Sequence, residues 1–100
     1  MIVRFLVPAE AEVDEAVAYY NKQRDWLGRE FARAIDVGLV RISEFPNAWS
    51  PFGDQLRRYR LERFPYGILY AVLDPEIVVV AVMHLHRKPD DWRDRLASVS

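Results

Sequence analysis

Residues 57–85 read RRYRLERFPYGILYAVLDPEIVVVAVMHL, and this stretch decides the fold. From Arg57 to Phe64 the chain alternates. Tyr59 and Leu61 fall on one side, and Arg58, Arg60 and Glu62 on the other, as a half-buried strand requires. Pro65 and Tyr66 break the run. Gly67 to Leu73 reads as a second strand, and Asp74-Pro75-Glu76 as a turn. Ile77 to Leu85 is a nearly unbroken apolar run rich in valine, the composition of a strand covered on both faces.

Upstream of this meander the period changes. Met1 to Val7 is predicted to be a strand and not a leader, with Val3, Phe5 and Val7 on one side and Arg4 on the other. Pro8 suits the first turn of a helix, where its missing N–H would be unpaired anyway. Glu10, Glu12, Asp14 and Glu15 complement the positive end of the helix dipole. Val13, Ala16, Val17 and Tyr20 recur at helical spacing, and this helix is expected to end near Gln23. A second helix is expected from Trp26 to Glu44 on the stripe Leu27, Phe31, Ala34, Ile35, Gly38 and Ile42, and Pro46 stops it. The gap around Arg24 and Asp25 is short enough to force a helical hairpin. Asn47 to Gln55 reads as a loop whose Trp49 and Phe52 close the edge of the core. The tail from Arg87 to Leu96, which holds Pro89 and Trp92, is expected to add a short helix.

The order is therefore β-α-α-β-β-β. It predicts one α+β domain over residues 1–100, with a helical hairpin packed on one face of a mostly antiparallel sheet. The opposite face, carrying Arg58, Arg60 and Glu62, is where function is expected. One hundred residues with 51% hydrophobic content suffice for one unstapled core. No cysteine is present, which excludes disulfides and cysteine-ligated metals and suits a reducing compartment. No run approaches the roughly 20 apolar residues of a membrane span, and a cytoplasmic location is expected.

The net charge of −1 argues against a protein that is a polyanion binder over its whole surface. The arginines are nevertheless clustered: Arg57, Arg58, Arg60 and Arg63, then Arg87, Lys88, Arg93 and Arg95 interleaved with Asp90, Asp91 and Asp94. Such groups are either solvated sheet-face charges or a patch for an acidic or phosphate-bearing partner. His84 and His86 share one strand face but have no companions at metal-ligand spacing, so no metal or cofactor is expected. A histidine acid or base beside arginines that stabilise a phosphorane would suit RNA cleavage through the 2′-hydroxyl. The plainer role is a hydrogen-bonded histidine at a strand end. No serine or cysteine nucleophile is framed by a motif.

Four segments carry a family resemblance in order and spacing: EAVAYY within Ala11 to Tyr20, LGREF at Leu27 to Phe31, RFPYGILYAV at Arg63 to Val72, and VVAVMHLHRKPDDWRDR at Val79 to Arg95. Together they make the chain resemble the RelE/ParE toxin superfamily, also known as plasmid stabilisation toxins. The resemblance implies a growth-inhibiting toxin neutralised by a small antitoxin encoded beside it. An acidic antitoxin segment is expected against Arg57, Arg58, Arg60 and Arg63. RelE-like members cut mRNA on the ribosome, whereas ParE-like members block DNA gyrase. RelE-like nucleases carry an arginine in a Y-R-L-V-Y run, and the matching residues here are Tyr66-Gly67-Ile68-Leu69-Tyr70. Glycine supplies no charge for a scissile phosphate, and one such contact is typically worth about 2.7–4 kcal/mol in the transition state.

The resulting expectation is a ParE-like toxin acting by binding, through Arg58, Arg60, Arg87, Trp92, Arg93 and Arg95. The rival is an mRNA endonuclease with Arg60 and Arg63 on phosphate and His84 or His86 as acid or base. A non-toxic binding module of the same fold is the third reading. A homodimer or a toxin–antitoxin hetero-oligomer is the expected assembly.

Overall fold

The computed structural model describes residues 1–53, 55–86 and 94–95. The chain runs β1 (Ile2–Phe5), α1 (Val7–Gln23), α2 (Leu27–Glu44), β2 (Ser50–Phe52), β3 (Leu56–Arg60), β4 (Tyr66–Leu73) and β5 (Glu76–His84). The five strands form one sheet in the order β1-β5-β4-β3-β2. β1 runs parallel to β5, and every other pairing is antiparallel. The expected α+β architecture holds, with one strand more than the sequence suggested: part of the loop after Pro46 pairs with β3 as the edge strand β2. Pro51 lies in β2, and an edge strand is where a residue without an N–H is tolerated.

α1 opens one residue earlier than expected. Val7 is its first residue and is 78% exposed, so it does not extend the inward row of Val3 and Phe5. The hairpin turn ends at Trp26, which holds φ 73° and lies 65% exposed with the Arg29 guanidinium 4.7 Å above its ring. α2 buries Gly28, Phe31, Ile35, Gly38 and Ile42, five positions on one helical stripe. Gly38 lets Tyr59 of β3 approach: a Cβ there would stand 2.8 Å from the tyrosine ring.

The main core lies between the hairpin and the sheet. Ile68 and Tyr70 of β4 and Ile77, Val79 and Val82 of β5 meet Ala16, Phe31, Ile35 and Ile42. Tyr20, Phe31, Phe64 and Tyr66 form a ring cluster with centroids 4.9–6.2 Å apart. Each large apolar side chain so buried is worth about 1.5–3 kcal/mol. A β-bulge between β4 and β5 pairs Leu69 with Ala81 and Tyr70 with Val79, leaving Val80 as the extra residue.

The opposite sheet face corrects the expectation of a charged surface. Leu56, Leu69, Ala71, Val78, Val80, Ala81 and Met83 are all buried there, with Leu6 and Phe52 packed against them. Glu62 does not belong to that face either. β3 ends at Arg60, so the alternation stops, and Glu62 turns to α2, where its carboxylate lies 2.6 Å from Arg41.

Candidate partner- and target-binding surfaces

The structure separates the arginines that the sequence groups together. Arg57 pairs with Tyr70 across the β3–β4 ladder, and its guanidinium donates to the Trp49 carbonyl at 2.7 Å. It therefore pins the loop after α2. Beside it the Tyr70 hydroxyl donates to the Pro46 carbonyl at 2.6 Å. Burial pushes the Tyr70 phenol up to about 12, with Arg57 pulling the other way.

Arg58 lies on the opposite face. Its guanidinium stands 5.3 Å from the Phe52 ring centre, and its Nε is buried without a hydrogen-bond partner. Its aliphatic stem runs over Gly67, where an added Cβ would come within 3.1 Å of the Arg58 Cγ. The absent side chain at Gly67 is thus room taken up by Arg58. Arg60, level with Gly67, is exposed and makes no ion pair among the described residues. Arg63 lies beyond the strand on the α2 side, 3.7 Å from Glu30.

His84 is level with Tyr66 and packs against its ring at 5.2 Å. The His86 ring lies 5.4 Å from that of His84, so the two imidazoles do share one side. The His86 backbone N–H donates to His84 Nδ1 at 3.2 Å, which leaves Nε2 to carry the proton of a neutral His84 ring. Tyr66 belongs to the helix-side core, whereas Arg60 and Gly67 stand on the other face. Arg60 and His84 therefore project from opposite sides of the sheet. Among the described residues no three His, Asp or Glu side chains could hold a metal ion.

Arg95 faces inward. It makes a double contact with Glu12 of α1, at 2.7 and 3.2 Å, and donates to the Val80 carbonyl at 3.3 Å. The same Glu12 accepts the Val82 N–H at 3.1 Å. β1 ends opposite Val79, and these contacts serve the β5 backbone just past that point. Arg87, Trp92 and Arg93 lie outside the described residues.

A groove of about 240 Å³ runs along α2, lined by Ala34, Val37, Arg41, Tyr59, Arg63 and Phe64 among others. Arg41 donates to the Tyr59 hydroxyl at 2.9 Å and to Glu62 at 2.6 Å. The Glu62 hydrogen bond first, then that of Tyr59, raises the Arg41 pKa above its ordinary value.

Against known proteins, a family model described as the ParE toxin of the type II toxin–antitoxin system parDE matches residues 3–89. The chain belongs to the ParE toxin family. Toxin ParE2 of Mycobacterium tuberculosis is 30% identical over 82 residues, covering 81% of this ParE-family chain and 78% of the relative. The fold is shared with a chain from the chromosomal ParDE system of P. aeruginosa. That match has a TM-score of 0.68 and 20% identity, and covers 86% of this chain and 97% of the other. Isolated E. coli RelE toxin matches more loosely, at a TM-score of 0.51 and 14% identity over 99% and 98% of the two chains. The chain is thus a ParE-family toxin of a type II toxin–antitoxin system.

Sequence reading missed the α2 groove and the Glu12–Arg95 pair. The groove had a faint signal in Val37, an apolar residue off the core stripe. The Glu12–Arg95 pair spans 83 positions and had none.

Proposed function

We propose that this ParE-family toxin acts by binding a replication target, DNA gyrase being the candidate, and that a cognate antitoxin neutralises it. What supports binding over RNA cleavage is the layout around Gly67. The position offers no charge, the Arg58 stem fills its space, and Arg60 and His84 stand on opposite faces. A nuclease needs its acid–base group and its phosphate-stabilising cation at one reacting centre. The target contact is assigned to Arg58 and Arg60 with Arg87, Trp92 and Arg93. Arg95 is engaged with Glu12 and is assigned a structural part. For the antitoxin, Arg60 and Arg63 are the exposed members of the expected set and the ones open to an acidic segment.

Purified toxin added to DNA gyrase should inhibit supercoiling, and Trp92→Ala should lose that inhibition while keeping its circular dichroism spectrum. A wild-type toxin that leaves supercoiling untouched would remove gyrase as the target. The His84→Ala/His86→Ala double variant should still arrest growth. If it does not, and the wild type fragments mRNA, the nuclease reading replaces this one.

A further inference from the structure

α2 has a second face. Its buried residues Gly28, Phe31, Ile35, Gly38 and Ile42 point to the core. At about 100° per residue, Arg33, Val37, Val40 and Glu44 fall within about 40° of the line diametrically opposite. All four are exposed; Val37 is 43% and Val40 58% accessible. Neither Arg33 nor Glu44 forms a salt bridge or a side-chain hydrogen bond among the described residues. Val37 and Val40 thus sit three positions apart on the solvent side of the helix, bracketed by unpaired charges of opposite sign.

The order of these residues identifies the partner. The stripe reads Arg, Val, Val, Glu, with Arg33 four positions before Val37 and Glu44 four positions after Val40. Turned end for end, it complements itself. In an antiparallel pairing about a two-fold axis between Gly38 and Leu39, Val37 of one copy lies level with Val40 of the other. Arg33 then lies level with Glu44, twice over by symmetry. We propose that α2 is a homodimer interface, and that the chain self-associates through antiparallel packing of this stripe on that of a second copy. A two-fold contact uses the same patch on both partners, which is the pattern this stripe displays. One helix face buries less than the roughly 1,600 Å² of a standard stable interface, so the dimer is weak and concentration-dependent.

The test is sedimentation of the full chain over a concentration series, with two single variants, Arg33→Glu and Glu44→Arg. Each replaces two attractive end pairs by repulsive ones and should raise the dissociation constant by about tenfold or more. Mixed in equal amounts, the two variants should recover association, because the heterodimer restores opposite charges at both ends. Val40→Asp should be monomeric throughout. All these positions are exposed, and unchanged circular dichroism checks the fold. A wild type that stays monomeric to high concentration leaves the face to a different partner and overturns the proposal. A dimer indifferent to the charge variants, or a mixture that fails to recover, overturns it equally.

Discussion

Two residues show how chemistry at single positions shapes this molecule. The Tyr70 hydroxyl is buried and donates to the Pro46 carbonyl, so removing it deletes that hydrogen bond. Tyr70→Phe should cost about 1–1.5 kcal/mol, measured by urea unfolding. The phenol is pushed up to about 12 from 10.0. A raised folded-state pKa gives stability that is complete below pH 10 and declines as pH rises towards 12. Tyr70→Phe should flatten that alkaline decline, and an unchanged decline would assign it to other groups. Gly67 is the second case. Its missing Cβ was legible in the sequence as a missing charge, but not as the seat of the Arg58 stem. Gly67→Arg should destabilise by about 1–3 kcal/mol through overpacking and confer no RNA cleavage.

Secondary structure elements were legible where the period was strong. α2 carries a full apolar stripe and was bounded to within a residue of Leu27–Glu44. β5 was legible as a strand, but its valine run has no alternation, so neither the bulge at Val80 nor the facing of its side chains could be read. β2 is three residues long and contains a proline, too little pattern to separate from a loop. Glu62 was misplaced because the alternation ran on in the sequence after the strand had ended at Arg60. The hairpin depends on Gly28, whose N–H donates to the Asn21 side chain at 2.9 Å and whose Cβ would stand 2.5 Å from the Val17 carbonyl oxygen. Backbone is not free to yield there. Gly28→Ala should cost at least about 1–3 kcal/mol in chemical denaturation, and an unaltered midpoint would mean that the helices separate without penalty.

Across the whole molecule, contacts distant in sequence decide which charges remain available. Arg95 looked like part of a basic binding tail, yet it is 13% accessible and held by Glu12. Arg95→Ala should therefore cost about 1.5–3 kcal/mol of stability, as for hydrogen bonds to charged groups. Glu12→Gln should lose much of the same amount, and the two changes should not add, because they break one unit. Additive losses in the double variant would show that the pair does not act as one. The Arg57, Arg58, Arg60 and Arg63 cluster likewise divides between a loop anchor, a sheet-face stem, an exposed strand end and the α2 groove. Fold and family were readable because local patterns recur in order along the chain. The site was not, because it depends on which side of a sheet each arginine leaves. The central claim, that this toxin arrests growth by binding a replication target, is tested most directly by inducing it in cells and following DNA and protein synthesis with labelled precursors. The account predicts early loss of DNA synthesis with filamentation, and early loss of protein synthesis with fragmented mRNA would contradict it.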